Sequence, residues 1–214
     1  MDWNETETIE KRPLPVITVI LIMINVGVFL YTEWKGSSLD AEFMIDMGAM
    51  YEPAFVYNQE YYRLITHFFL HFGLEHLVNN MISLLVLGYT LEQEFGKIRY
   101  LILYMASGIF AGLVSVYVNW TLGEHVVSCG ASGAIYGLMG ALLMILLKNC
   151  KRIVRSDIFR FAIYLALSLY SGMQDTGIDN AAHISGVVAG FLLCGILYKK
   201  NKKNKKIETR IGGY

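Results

Sequence analysis

The chain has 214 residues, of which 55% are hydrophobic and only 17% are charged. A soluble domain of this size usually carries about 25% charged residues, so the composition argues against a water-soluble protein. The formal net charge is zero, which gives no sign of nucleic-acid binding. The chain has three widely spaced cysteines and no C-x-x-C pair, which argues against a disulfide framework.

Several long stretches of the chain have few or no charged residues. A helix that crosses a membrane needs about 20 consecutive apolar residues. The second stretch is weaker than the others because it opens with Glu75 and His76, and the fifth is weaker because it carries Arg160. The sequence predicts an all-α polytopic membrane protein with six transmembrane helices. In chain order the six spans are residues 14–32, 74–91, 100–122, 126–147, 158–174 and 180–198.

The positive charges predict how these helices are oriented. Of the 18 Lys and Arg residues, 16 lie before the first helix, after the sixth, in the second-to-third and fourth-to-fifth connections or, in the case of Arg160, at the start of the fifth helix beside that connection. Basic residues are enriched on the cytoplasmic side, so both termini are expected in the cytoplasm. The chain then divides into a cytoplasmic segment 1–13, a membrane domain 14–198 and a basic cytoplasmic tail 199–214 that contacts anionic lipid.

Four polar side chains lie near the outward ends of three predicted helices: His76, Asn80, Ser132 and His183. Polar groups inside a bilayer are costly and are functional by default. A serine hydroxyl needs an adjacent base to become a nucleophile, and a neutral histidine can take its proton. Taken singly, each residue has a purely structural explanation. Ser132 could be a small residue at a helix interface, and His183 could bond to a neighbouring carbonyl.

Spacings of one helical turn, among these four residues and to their neighbours, suggest further roles. His76 and Asn80 are four positions apart and both can donate hydrogen bonds, as an oxyanion hole requires. They could equally bond to each other and to a buried water. Tyr136 follows Ser132 by one turn and could stack on the ring of His183. Asp179 precedes His183 by one turn and could orient it, although capping of the sixth helix is favoured.

Five segments of the chain carry the motifs that matter here: "EYYRLITHFFLH", "HFFLHFGLEHLVNN", "GYTLEQEFG", "GASGAIYGLMG" and "AAHISGVVAG". Together they resemble the rhomboid family of intramembrane serine proteases, over about residues 14–198. A single motif would be weak, but several motifs in the right order on a six-helix topology are specific. Tyr62 stands where the family usually has Trp before Arg63.

The resemblance implies a rhomboid-like helical bundle and a hydrolase that cuts peptide bonds in or next to transmembrane segments of its protein substrates. It implies a dyad without a third acid, with Ser132 as nucleophile and His183 as base. His76 and Asn80 match the family's oxyanion residues. No cofactor or metal is expected, and the expected partners are transmembrane substrates and membrane lipids rather than nucleic acid. The compact form favours a bacterial cell membrane.

Three alternatives compete with this interpretation. A metalloprotease could use the clustered His67, His71 and His76, but the sequence has no H-E-x-x-H motif. A transporter would be expected to show internal repeats, and none is visible. A catalytically inactive rhomboid-like protein could bind transmembrane client helices, although such a relative would usually lack Ser132 or His183. Access to the site is expected to be gated by the fifth helix and the loop 171–180.

Overall fold

The computed structural model describes residues 14–149, 155–173 and 179–198. The predicted terminal segments 1–13 and 199–214 lie outside the described residues, and so do residues 174–178 of the predicted gating loop. Within the described ranges, long α-helices dominate. They are α1 (Val16–Lys35), α5 (Gly73–Phe95), α6 (Lys97–Leu122), α7 (Ser132–Lys148), α8 (Arg155–Met173) and α9 (Asn180–Leu197).

The segment between α1 and α5 is folded into short elements. The two-residue strand β1 (Met50–Tyr51) pairs antiparallel with β2 (Val127–Ser128), so that Met50 lies opposite Ser128. This pairing ties the first loop to the residues that precede α7. The short elements are α2 (Ala41–Asp46), β1 (Met50–Tyr51), α3 (Glu52–Val56), α4 (Arg63–Thr66) and the 3-10 turn His67–Phe69.

Among the described helices, α1, α6 and α9 are long and apolar enough to cross a membrane. A fourth span arises if α5 is counted together with Arg63–Phe69, from which it is bent by 94°. α7 has 17 residues, and the apolar part of α8 is also shorter than a full span. The predicted all-α, multi-span class is confirmed, whereas the count of six spans stays a prediction.

The start of α7 is the main difference from the predicted spans. The apolar pattern placed this helix from residue 126, but α7 begins six residues later, at Ser132. Val127 and Ser128 are used in the strand pair, and Gly130 turns the chain with a φ of +131°. That backbone conformation is largely restricted to glycine. Ser132 is therefore the first residue of a helix and not a residue one to two turns inside it.

α7 and α9 are in backbone contact along a ridge of glycines. A Cβ atom added at Gly190 would lie 1.8 Å from the carbonyl oxygen of Gly137, and one at Gly186 would lie 2.3 Å from that of Gly133. Only hydrogen fits in these spaces, so both helices need glycine to approach this closely. In the sequence, the small residues Ala182, Gly186 and Gly190 recur every four positions, and this spacing indicates such a close helix contact.

α1 and α5 are joined by a buried carboxylate instead. Glu92 on α5 is 4% exposed and accepts hydrogen bonds from the backbone N–H groups of Ile17 and Thr18, at 3.0 and 2.9 Å. It also accepts a bond from the Thr18 hydroxyl at 2.9 Å. Pro15 at the start of α1 provides no side-chain cap. Glu92 therefore satisfies free N–H groups at the positive end of α1 from a neighbouring helix.

Arg63 organises the first loop. It is 4% exposed, and its Nη1 donates to the carbonyl oxygens of Ile45 and Ala49 at 2.7 and 2.6 Å. Its Nε donates to Glu60 at 2.7 Å, and the Tyr62 hydroxyl donates to the same carboxylate at 2.9 Å. Tyr62 also faces the guanidinium. Tyr62, which stands where the family usually has Trp, therefore joins the hydrogen bonds around Arg63 through its hydroxyl.

Candidate active site

Ser132 and His183 meet where α7 and α9 begin. Ser132 opens α7, and His183 is the fourth residue of α9. His183 Nε2 lies 2.9 Å from Ser132 Oγ, which is hydrogen-bond distance. The glycine ridge explains the approach, because Gly133 and Gly186, each close in sequence to one of the pair, bring the two backbones together. Packing and a Ser–His pair are therefore compatible here.

The pair opens onto a cavity of about 640 Å³. Its lining combines polar groups from α5, from the segment before α7 and from α8. Ser132 and His183 both line it, so the hydroxyl has space in front of it. The other polar or charged lining residues are His67, Glu75, His76, Asn79, Asn80, Ser83, Ser128, Tyr136, Tyr164, Ser168 and Asp179.

The ring of Tyr136 packs against one face of the His183 ring. The two ring centroids are 4.2 Å apart and the planes are inclined by 27°, which is a stacked arrangement. The Tyr136 hydroxyl is 2.7 Å from the hydroxyl of Ser168 on α8. The stacking expected from the one-turn spacing is confirmed, and the tyrosine also links α7 to α8.

His76 and Asn80 lie beside the turn that leads into Ser132. A Cβ atom at Gly130 would lie 2.8 Å from His76 Cε1 and 3.6 Å from Asn80 Nδ2, so glycine leaves room for both side chains. Asn80 Nδ2 is buried and has no hydrogen-bond partner among the described residues. The alternative of mutual bonding through this amide nitrogen is therefore not what the structure contains.

Comparison with known proteins gives the family. Residues 58–200 match the model of the Rhomboid domain. The chain belongs to the rhomboid family. It is 32% identical to Rhomboid protease GluP of Bacillus subtilis over 183 residues, which is 86% of this chain and 35% of that protein. It is 33% identical to the Putative rhomboid protease YdcA of the same organism over 195 residues, 90% of this chain and 93% of that one.

Other relatives extend the comparison. Rhomboid protease AarA of Providencia stuartii is 30% identical over 201 residues, covering 83% of this chain and 70% of that protein. The chain spans about a third to a half of the length of the first curated relatives it matches. Membership in the family and the apolar helices make this an integral multi-pass membrane protein.

Two further histidines of this rhomboid-family chain have separate contacts. His71 is 1% exposed, and its Nε2 accepts a 3.4 Å hydrogen bond from the backbone N–H of Ala131, next to Ser132. His67 donates from Nδ1 to the carbonyl of Arg63 at 2.6 Å and also lines the cavity. Their spacing in the sequence would allow a shared metal, although lining of a water-filled entry to the site is the favoured expectation, and His67 does line the cavity. Within the described ranges no group of three or more His, Cys, Asp or Glu side chains is arranged to hold a metal ion.

Asp179 caps α9 and does not bond to the imidazole. Its Oδ1 accepts from the N–H of Ala182 at 2.9 Å, as expected of a helix cap. Its Oδ2 accepts from the hydroxyls of Ser115 and Ser128, at 2.5 and 2.7 Å. His183 Nδ1 has no hydrogen-bond partner among the described residues. The arrangement of a third acid behind the histidine is therefore absent from the described part of the chain.

Proposed function

We propose that this protein is an intramembrane serine endopeptidase that hydrolyses peptide bonds in or next to transmembrane segments of other proteins. The observation that carries the proposal is the 2.9 Å separation of His183 Nε2 and Ser132 Oγ at the edge of an open cavity. A hydroxyl and a neutral imidazole at this distance form the minimal unit of nucleophilic catalysis. Rhomboid proteases among the relatives support the same activity.

The first half of the reaction forms an acyl-enzyme. Ser132 Oγ attacks the substrate's peptide carbonyl while His183 Nε2 takes the hydroxyl proton. The tetrahedral intermediate then collapses, the C–N bond breaks, and His183 gives the proton to the leaving amine. Water repeats the sequence: it loses a proton to His183, attacks the ester carbonyl, and Ser132 leaves with the proton restored.

The negative oxygen of each tetrahedral intermediate needs donors already in place. Asn80 Nδ2 has no partner in the described structure, so it is free to donate, and His76 lies beside it at Gly130. Ser132 is the first residue of α7, so its own backbone N–H has no intrahelical acceptor. These three groups are the proposed oxyanion hole.

The substrate must present an unwound peptide, because intrahelical hydrogen bonds shield the carbonyls of a regular helix. Segments with helix-weakening Gly or Pro and small residues at the cut should be preferred. α8 forms one side of the cavity through Tyr164 and Ser168, so its displacement would admit a substrate segment. We propose α8 as the gating element.

The proposed membrane arrangement has six spans, formed by α1, α5, α6, α7, α8 and α9, within a membrane domain 14–198. Residues 1–13 and 199–214 then lie in the cytoplasm, in agreement with the distribution of basic residues. The pair at the start of α7 and α9 faces the opposite side of the membrane. A bacterial cell membrane is the proposed location, and lipids and transmembrane proteins are the proposed partners.

A reconstituted cleavage assay on a model transmembrane substrate tests the activity. Ser132→Ala and His183→Ala should each abolish cleavage, while chelation of metal ions should have no effect. Ser185→Ala and His125→Ala are matched controls: Ser185 is buried in α9 and bonds within that helix, His125 lies in the exposed loop before β2, and neither lines the cavity. Both controls should retain cleavage.

Each contrary result has a distinct meaning. Cleavage that survives Ser132→Ala but is lost on chelation would establish a metalloprotease. Wild-type protein that neither cleaves nor reacts with a fluorophosphonate at Ser132, yet retains a bound transmembrane segment, would establish the inactive client-binding alternative. Either result rejects the serine protease.

A further inference from the structure

The carboxylate of Asp179 connects three separate elements of the fold. It accepts hydrogen bonds from Ala182 in α9, from Ser115 in α6 and from Ser128 in β2. Ser115 is 1% exposed, so the bond to α6 lies in the interior. A carboxylate with three donors is a strong link, because hydrogen bonds to ionised groups exceed neutral ones in strength.

Two of these connections lead directly to the reacting side chains. Ala182 is the residue before His183, and the backbone N–H of His183 also bonds to the carbonyl of Asp179 at 3.1 Å. Ser128 precedes Ser132 by four residues, across the turn at Gly130. One side chain therefore ties the segment that delivers the hydroxyl to the segment that delivers the imidazole.

The imidazole lacks the usual means of fixing its position. In many Ser–His pairs a carboxylate on the second ring nitrogen orients the ring. Here His183 Nδ1 has no partner among the described residues, and Tyr136 contacts only the ring face. The distance between Nε2 and Oγ must then depend on where the backbones of α9 and of the segment before α7 are held.

We propose that Asp179 is a positioning residue for the Ser132–His183 pair, a role that rests on the proposed protease function. By holding Ser128 against the start of α9, it acts together with the glycine contact between α7 and α9 to set the separation of the hydroxyl and the imidazole. Asp179 acts by holding these backbone segments in place through its hydrogen bonds. Its carboxylate makes no direct bond to the imidazole of His183. The two hydrogen bonds that Asp179 Oδ2 accepts both come from hydroxyls outside α9.

The decisive measurement separates the reactivity of Ser132 from the amount of folded protein. A fluorophosphonate labels an activated serine, so the labelling rate constant reports positioning and the labelling endpoint reports the folded fraction. Asp179→Ala should keep the endpoint and lower the rate constant and kcat by about 100-fold, because misplacement of reacting groups by about 1 Å costs that much. The KM should change by less than about threefold.

Asp40→Ala is the matched control. Asp40 is also an aspartate at a helix start, but among the described residues its carboxylate accepts hydrogen bonds only from the backbone N–H groups of Glu42 and Phe43 in its own turn. Its loss should leave the labelling rate within about twofold of wild type. Equal losses of rate in Asp40→Ala and Asp179→Ala would show a general effect of helix capping and would overturn the positioning role.

Two more variants test the bridge itself. Ser128→Ala should slow labelling about tenfold, and adding it to Asp179→Ala should cost nothing further, because the same bond is already lost. Asp179→Asn keeps an acceptor oxygen and should recover part of the rate. If the Asn variant is as slow as the Ala variant, or if the two losses multiply, the bridge is rejected. These variants also carry the test if Asp179→Ala does not fold.

The remaining outcomes are distinguishable. A lower endpoint with an unchanged rate constant would make Asp179 purely structural and reject the proposal. Normal labelling and cleavage in Asp179→Ala would reject it while leaving the protease intact. Wild-type protein that does not label, or cleavage that survives Ser132→Ala, would reject the protease, and the positioning role would fall with it.

Discussion

The α7–α9 contact and the α1–α5 contact hold pairs of helices together by different means. α9 meets α7 through glycines, with the backbone of one helix against the carbonyls of the other. α5 meets α1 through Glu92, which bonds to N–H groups and a hydroxyl at the start of α1. Lipid offers no hydrophobic gain for helix association, so close packing and hydrogen bonds are the two available means. The candidate site lies on the contact made by packing.

This difference has a functional meaning. A contact between rigid backbones has one separation and cannot relax around an inserted atom. A side-chain carboxylate can rotate, and water can replace it where the helix end reaches the interface. A Ser–His pair that needs a fixed separation is therefore better placed on the glycine contact. Three substitutions test this comparison, and the pH dependence of an ion pair in the first loop measures a smaller effect outside both contacts.

Gly190→Ala should have the largest effect. The added methyl would lie 1.8 Å from the carbonyl oxygen of Gly137, so the helices must separate. We expect a loss of about 3 kcal/mol of stability and no cleavage. Gly195→Ala on the same helix is the control, since its nearest neighbour is the flexible end of Met144 at 3.7 Å. Thermal melting in detergent should leave this control within about 1 kcal/mol of wild type.

Glu92→Ala should have the next largest effect, on stability and not on reactivity. Its loss leaves the N–H groups of Ile17 and Thr18 without their acceptor, at a cost of about 2 kcal/mol. The labelling rate of Ser132 per folded molecule should stay at the wild-type value. Glu94→Ala, which removes only a 3.5 Å contact with Tyr198, is the control. A slower labelling rate in Glu92→Ala would show that the two contacts are not independent.

Thr18→Val sharpens the same test with a smaller change. It removes the hydroxyl that bonds to Glu92 and contacts Tyr100, but it keeps the shape and the backbone bonds. We expect about 1 kcal/mol of lost stability, because one interhelical hydrogen bond is removed. Melting of the Thr18→Val, Glu92→Ala and double variants should show that the losses are not additive. Full additivity would contradict a shared bond.

The smallest effect on stability should come from the ion pair between Glu60 and Arg63 in the first loop. Hydrogen bonds from Arg63, and then from Tyr62, hold the pKa of Glu60 below its ordinary value of 4.5. Such a group contributes stability that is fully present above the ordinary pKa and is lost as the pH falls through the lowered pKa of the folded state. Because Glu60 is partly exposed, the contribution is small.

Melting temperatures of wild type and Glu60→Gln between pH 6 and pH 3 measure this contribution. Wild type should melt slightly higher at pH 6, and the two curves should converge as the pH falls below 4.5. A constant difference across the range would show that the carboxylate charge is not what stabilises the loop. Glu42→Gln, an exposed acidic residue in the first turn of α2, provides the comparison.

The amino-acid sequence contains enough to predict the long helices but not the contacts between distant elements. Long apolar stretches with charged ends are local features, so every predicted span contains a helix. The start of α7 was misplaced because Val127 is apolar and reads as part of a span. Its actual partner is Tyr51 in the first loop, and such a pairing leaves no local pattern.

The candidate site shows the same division. The approach of α7 and α9 could be inferred from the glycines, which are visible in the sequence, and the stacking of Tyr136 from its one-turn spacing. The partners of Asp179 could not, because Ser115 and Ser128 are ordinary serines in separate elements. The bond from Ala131 to His71 was missed for the same reason.

The glycine seam, where Gly133 and Gly137 of α7 meet Gly186 and Gly190 of α9, also limits where substrate preference can change. No substitution on that seam can reshape the cavity without separating the helices that bear the reactive pair. Variation in selectivity must instead come from the opposite walls, where Ser83 on α5 and Tyr164 on α8 can be exchanged for residues of another size. An engineer who wishes to retarget this protein should therefore build libraries on those two walls and leave the glycine seam untouched.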